Sequence, residues 1–347
     1  MKSDHATSTI NDVARIAGVS KRTVSRVLNN SSKVSAKTRD RILAIIAELD
    51  YAPNPQARGL AARRSYMIGL VYDDPNALFI HAIQRGILSV CTLAGYELVV
   101  HPCSHESEGI PDKVNRFVSR SKLDGLIILP PLSANKDLTA SLRNNGIPYV
   151  LMSAQKLDAP ERSVIAEDRA IMHHLADHLV ELGHERIAFI AGPKHRLASQ
   201  ERLEGFRAGL AAHSVTLSEG DIVQGDFTFE SGIECGLRLL RRKRRPTAIF
   251  AANDEMALGV MHAAHQLGIQ IPQQLSVAGY DGSPLAARSI PPLTTFKRQN
   301  EQMASLAVRK LIANIEGDSQ MAAQLDTVLH PELMIAQSTG KAPRSTG

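Results

Sequence analysis

The sequence predicts an all-α helix-turn-helix head followed by an α/β body of two doubly wound parallel-sheet subdomains. Three observations predict it. Residues 9–60 carry apolar positions at helical spacing, interrupted by a turn glycine. From Tyr66 onward, short apolar runs alternate with helical patterns, in two successive series. Charge is also unevenly divided. Residues 1–64 hold twelve Lys/Arg against five Asp/Glu, a net of +7, while the rest of the chain nets −2.

In the head, Ile10, Val13, Ala14 and Ala17 share one helix face. Gly18 supplies the tight turn that follows, because glycine enters the left-handed region without a steric penalty. Ser20 stands where a hydroxyl caps the second helix. Lys21, Arg22, Ser25 and Arg26 decorate that helix, and Val24 and Val27–Leu28 fall on its buried side. A third helix is predicted over 36–49, with Ile42, Ile45, Ile46 and Leu49 inward and Thr38 and Arg39 outward. A plain three-helix bundle has no reason to gather the whole positive excess of the chain. A nucleic-acid-binding head does.

Residues 51–65 read YAPNPQARGLAARRS. Pro53 and Pro55 break the third helix. A short helix over 54–62 has little apolar surface to bury and is marginal alone. Arg58, Arg63 and Arg64 surround one apolar residue, Leu60, in what composition alone reads as a basic linker. The predicted plan is a head over 8–52, a hinge over 53–65 and a body over 66–340.

In the body, buried-strand runs are predicted at 67–72, 96–100, 126–129 and 149–152, with helices at 78–94, 111–121 and 136–145. A second series begins near Val164, with strands at 187–191, 221–224, 248–252 and 276–280 and helices at 169–182, 199–212, 229–240 and 254–267. The subdomains are drawn as 66–162 with 293–326, and 163–292 with 327–340. In open α/β sheets a ligand sits beyond the carboxyl ends of the strands, which here places it in the cleft between the two units.

Other classes are disfavoured. The first body strand is followed by GLVYDDPN, not a phosphate-cradling GxGxxG, and neither GxxxxGK[ST] nor GxSxG occurs, which argues against an α/β enzyme. His173 and His174 point about 100° apart on a helix, so only one can pair with His178, and His101, Cys103 and His105 have no fourth ligand nearby. No metal and no cofactor is expected. Cys91, Cys103 and Cys235 form no CxxC pair and suggest no disulfide framework. No long uncharged run suits a bilayer, and MKSDHATST lacks the apolar core of a signal peptide. A cytoplasmic protein without a membrane partner is expected. KAPRSTG at the end carries no heptad repeat.

The words DVARIAGVSKRTVSRVLNN, KVSAKTRDRI, LDYAPNPQARGLA and SYMIGLVYDD resemble the lactose-repressor (LacI/GalR) family of bacterial transcription regulators, and the match runs to about Ser338. The resemblance implies a homodimer on pseudo-palindromic double-stranded operator DNA, a body of periplasmic-binding-protein type, and control by a small-molecule effector, most often a sugar. A sugar acid or a purine is the alternative. Lys21, Arg22 and Arg26 would face base edges or their flanking phosphates. Ser20, Thr23, Ser25, Asn29, Ser35 and Thr38 would mainly touch phosphates, which position without specifying. Tyr51 and Asn54 complete the DNA-facing set, and Leu60 matches the family's minor-groove wedge.

For the effector, GPKHRLASQERLEGF places Arg202 at the family's ligand arginine, whose fork suits vicinal hydroxyls or a carboxylate. A surface arginine on an amphipathic helix is the bland alternative; on the site reading, Arg202→Ala should leave the dimer folded and bound to operator but blind to the inducer. Phe227, in QGDFT, matches an aromatic that stacks on the ligand, unless it is a capped core residue. FAANDEMALG and VAGYDGS supply Asn253, Asp254 and Asp281 at strand ends; Asp254 can instead serve only as a helix cap. Glu167, with Asp168, takes the family's acidic position. Asp73, Asn76 and Phe79 follow the first strand as floor residues. One departure stands out: TTFKRQN puts Arg298 where the family commonly has glutamine. Turned inward, beside Arg202 and near Lys194, His195 and Arg196, it favours an anionic ligand.

Overall fold

The structure is a computed structural model that describes residues 9–28, 33–49, 64–73 and 76–343. The chain divides into two compact units, residues 1–66 and 67–347.

In the head unit, Thr9 opens α1 (Ile10–Ala17) with a capping box: Asp12 Oδ2 accepts from the Thr9 amide at 3.0 Å and from its hydroxyl at 2.7 Å. Those bonds hold the Asp12 carboxyl below its ordinary value. Gly18 ends the helix at φ +61°, as the turn requires. Helix α2 (Lys21–Leu28) is capped by Ser20, whose Oγ accepts the Thr23 amide at 3.2 Å. Ser35 caps α3 (Ala36–Glu48). Val13, Ala14, Ala17, Val24, Val27 and Ile42 close one core, packed by Ile10, Val19, Val34, Ile45, Ile46 and Leu49.

The body unit holds two six-stranded sheets. The first contains β1 (Met67–Tyr72), β2 (Glu97–Pro102), β3 (Gly125–Ile128), β4 (Tyr149–Ser153), β5 (Ser163–Ala166) and β11 (Val328–Leu329), in the order β11-β5-β4-β3-β1-β2. The second contains β6 (Ile187–Ala191), β7 (Ile222–Gln224), β8 (Ala248–Ala251), β9 (Ser276–Asp281), β10 (Thr294–Lys297) and β12 (Glu332–Met334), in the order β12-β10-β9-β8-β6-β7. Only β12 runs antiparallel, against β10. The joining helices are α4 (Ala77–Ala94), α5 (Ile110–Ser121) and α6 (Lys136–Asn144) in the first lobe. The second has α7 (Asp168–Glu181), α8 (Leu197–Ala212), α9 (Phe229–Leu240), α10 (Asp254–Gln266) and α11 (Pro284–Arg288). Helices α12 (Asn300–Glu316) and α13 (Ser319–Gln324) return the chain to the first sheet.

The chain thus passes between lobes at Glu167, at Arg298–Gln299 and at His330–Pro331. The subdomain limits drawn from sequence need correcting. Residues 163–166 and 328–329 belong to the first sheet, because Ser163 pairs with Leu151 and Val328 with Ile165. Residues 294–297 belong to the second, where Thr294 pairs with Ala278. An apolar run shows that a strand is buried, not which sheet buries it. Helix α4 also amends the membrane expectation: by length and composition it is apolar enough to cross a bilayer. Here it packs on α12, so closely that a side chain at Gly86 would meet the Glu301 carbonyl.

Two buried polar groups tie distant segments. Lys310 donates from Nζ to the carbonyls of Pro160 (2.7 Å) and Leu325 (3.1 Å) and to Thr327 Oγ1 (2.9 Å), fixing the approach to β11. His184 meets Thr247 Oγ1 and Ser276 Oγ, each at 2.9 Å, and the Gly340 carbonyl at 3.0 Å. Burial pushes its imidazole below the ordinary 6.5. The unfolded chain therefore takes up a proton near pH 6.5 that the fold refuses. The stability this group provides is fully present above pH 6.5 and is lost as pH falls below it. Melting temperatures are expected to fall as pH drops from about 7.5 to about 5, and to fall less steeply in His184→Gln. Equal slopes would remove His184 as a cause.

Candidate functional site

The head presents α2. Lys21 and Arg22, in its first turn, are exposed, while Arg26 and Ser25 are half-exposed. Lys21, Arg22 and Arg26 enter no ion pair among the described residues. The opposite face holds Val24 and Val27 in the core. Ser20 and Thr23 are joined Oγ to Oγ1 at 2.9 Å, and so are Ser35 and Thr38 at the start of α3. These hydroxyls order two helix starts and keep lone pairs and protons for an outside partner. Asn29, Tyr51, Asn54 and Leu60 lie outside the described residues.

In the body, the ends of eight strands converge on one cleft. Asn76 and Phe79 follow β1, Pro130 follows β3, and Ser153 and Ala154 end β4. From the second lobe come Arg196, Leu197, Ala198 and Arg202 after β6, Phe227 after β7, Asn253 after β8, Asp281 at the end of β9 and Arg298 after β10. Between them lies a small cavity of about 80 Å³. Seven of the nine residues expected from sequence line it.

Arg202 is the buried centre. Its Nε donates to Asp168 Oδ2 at 2.9 Å and its Nη1 to the Ala252 carbonyl at 2.5 Å, and its guanidinium lies 3.6 Å from the Tyr280 ring centroid. Tyr280 donates its hydroxyl to the other Asp168 oxygen at 2.5 Å. Nη2 has no hydrogen-bond partner among the described residues. Phe227 and Asp281 both sit at positive φ, 74° and 130°, which side chains rarely adopt, and strain of this kind gathers at functional sites. The Phe227 ring lies against Gly192, where a Cβ would come within 2.1 Å of it, so only glycine leaves the platform its place. Asn253 caps α10 through Oδ1 to the Met256 amide and holds the Phe227 carbonyl through Nδ2. Asp254 does not line this cavity. It accepts from Thr295 Oγ1 at 2.6 Å and from the Ser283 amide at 2.7 Å, and burial pushes its carboxyl up. Burial lifts Asp281 as well, to about 7. Arg202 and Arg298 oppose that rise, and Asp254 and Asp168 add to it.

Two expected residues lie elsewhere. Glu167 sits on a chain crossing and pairs with His330 on another, Oε2 to Nδ1 at 2.9 Å, so it links two of the crossings between the lobes. The carboxylate that meets Arg202 is that of the adjacent Asp168. Asp73 turns its carboxylate to His105, 2.7 Å from the amide and 2.5 Å from Nδ1; burial opposes its ionisation, but these bonds hold it below its ordinary value. Arg196, which sequence reasoning treated only as nearby charge, spans the cleft. It donates to the carbonyls of Pro130 (3.0 Å) and Asp73 (2.8 Å) in the other lobe. His195 stacks on His105 beside it, ring centroids 4.2 Å apart. The position of Arg196 in a loop after β6 was the only available signal. Among the described residues, no three His, Cys, Asp or Glu groups converge as a metal site.

Comparison with known proteins agrees with this geometry. Residues 9–54 match the model of bacterial regulatory proteins, lacI family, and residues 176–339 that of a periplasmic binding protein-like domain. The HTH-type transcriptional regulator DegA of Bacillus subtilis is 34% identical over 337 residues, covering 96% of this chain and 98% of DegA. The ribose operon repressor of Escherichia coli is 34% identical over 328 residues, covering 93% and 98%. A crystal structure of the lac repressor dimer bound to operator and the anti-inducer ONPF superposes with a TM-score of 0.78 at 32% identity, covering 96% of this chain and 99% of that one. Head, cleft and relatives that align from end to end lead to one assignment: the chain belongs to the lacI family of bacterial regulatory proteins.

Proposed function

We propose that this protein is a ligand-responsive transcriptional repressor of carbohydrate-utilisation genes, acting in the cytoplasm as a homodimer on a pseudo-palindromic operator. The observation that carries the reading is the pairing, on one chain, of an exposed basic helix with a strand-end cleft built on an aromatic platform and a buried arginine. Sugar rings have apolar C–H faces and polar rims, and Phe227 with Arg202 and Asp281 offers the complement. Binding is favoured over catalysis by the state of the cleft's reactive groups. Both Asp168 oxygens are engaged, and the Ser153 hydroxyl donates to the Gln155 carbonyl.

The test joins DNA selection to calorimetry. The protein is expected to select a two-fold-symmetric sequence from random DNA and to bind a sugar in the cleft. Phe227→Ala is expected to weaken that sugar by about ten-fold through loss of the stacking platform. Binding of a purine and of no carbohydrate would overturn the sugar assignment while keeping the regulator.

A further inference from the structure

The cleft is unbalanced between free donors and free acceptors. The acceptors are mostly spent: Asn76 Oδ1 takes the Phe79 amide, Asn253 Oδ1 takes the Met256 amide, and Ser153 Oγ is held by Gln155. The donors are not. Arg202 keeps Nη2. Arg298 lines the cleft with its side chain only 14% exposed, 5.6 Å from the Phe79 ring and 6.0 Å from that of Tyr280, so it does not turn outward. The carboxylate it faces among the described residues is Asp281, at 3.9 Å, beyond hydrogen-bonding reach. Arg298 Nε is buried and has no hydrogen-bond partner among the described residues.

A buried guanidinium without an acceptor is unfavourable, and a ligand that brings one relieves it. A neutral sugar hydroxyl accepts but must also donate, and among the described residues Asp281 is the one carboxylate lining this cavity to receive it. A carboxylate accepts only, through two oxygens matched to a guanidinium fork.

We propose that the effector is a carbohydrate bearing a carboxylate, a sugar acid, whose carboxylate is received by Arg298 while Phe227 and Asp281 hold the ring. This rests on the carbohydrate reading above and narrows it. A single fork without a hydrogen bond among the described residues matches one monoanionic carboxylate better than a phosphate dianion.

The test is calorimetry with matched pairs: glucose against gluconate and glucuronate, galactose against galacturonate, ribose against ribonate, with glucose 6-phosphate and hypoxanthine alongside. One acid is expected to bind more tightly than its neutral partner by about 10- to 100-fold, the worth of one charge-assisted bond. Arg298→Gln is expected to erase that preference, bringing acid and neutral partner within about three-fold of each other. The Arg298 side chain makes no hydrogen bond among the described residues, so the variant should fold, and an unchanged cooperative melt checks that it does. Arg298→Lys keeps the charge without the fork and should fall between. Equal binding of acid and neutral partner, unaltered in Arg298→Gln, would overturn the carboxylate and spare the carbohydrate reading. Preference for the phosphate ester would do the same. Binding of hypoxanthine alone would overturn both.

Discussion

Replacing Arg202 with alanine is expected to destabilise the body by about 3–5 kcal/mol as well as to abolish its response to effector. A surface arginine could be removed at little cost. Arg202 is 3% exposed and Asp168 is fully buried, so the variant leaves an aspartate in the core with only the Tyr280 hydroxyl to bond it. The Ala252 carbonyl also loses its donor. The expectation from sequence, that the variant stays folded and merely stops sensing, therefore does not survive the structure. Replacing both partners, Arg202→Met with Asp168→Leu, removes the unpaired charge and should recover much of the loss. Effector binding should not return with it. Denaturant unfolding of the two single variants and the double variant measures the coupling. An Arg202→Ala protein as stable as wild type would mean that the buried pair does not carry the lobe.

Replacing Lys21 and Arg22 together with alanine is expected to weaken operator binding by on the order of 1,000-fold or more, since each base contact is worth about 1–3 kcal/mol and a dimer loses every contact twice. The residues sit in the first turn of α2, the part of a recognition helix that meets base edges, and Val24 and Val27 anchor the opposite face. The variant should also prefer a different half-site, because side chains that read bases have been lost. If only phosphate contacts are lost, the half-site is unchanged and the salt dependence of binding becomes shallower. Selection from random DNA separates the two outcomes, and recovery of the wild-type half-site would remove these side chains from base readout. The helix should remain folded, since Ser20 caps it and both lost side chains are exposed.

Much of this architecture was legible because short-range chemistry dictates it. Gly18 and Ser20 fix the turn and the start of α2 from their own conformational and capping preferences. The apolar runs located eight of the described body strands to within a residue or two but did not place β5, β10, β11 and β12, since a parallel strand buried on both faces has little freedom in composition and a short edge or crossing strand has more. Strand ends then gave most of the cleft, because parallel sheets deliver their carboxyl ends to one side. What was hidden depends on partners far along the chain. The sheet that claims residues 163–166 is decided by pairing with β4 and β11. Asp73 is taken by a histidine 32 residues later, and Arg196 finds its acceptors in the opposite lobe. Between Glu167 and Asp168, adjacent in sequence, the choice was made by the start of α7. It turns one carboxylate inward to Arg202 and leaves the other paired with His330.

The central claim is that occupancy of the cleft and operator binding by the head are coupled. It is tested most directly by measuring one coupling from both sides: operator affinity with and without the effector found by calorimetry, and effector affinity with and without operator. Linkage requires the two ratios to be equal, and a regulator requires them to differ from one, by about 5- to 150-fold in a typical case. Equal ratios in that range are the result expected. An effector that binds free and operator-bound protein with the same affinity would contradict the account, however tightly it binds.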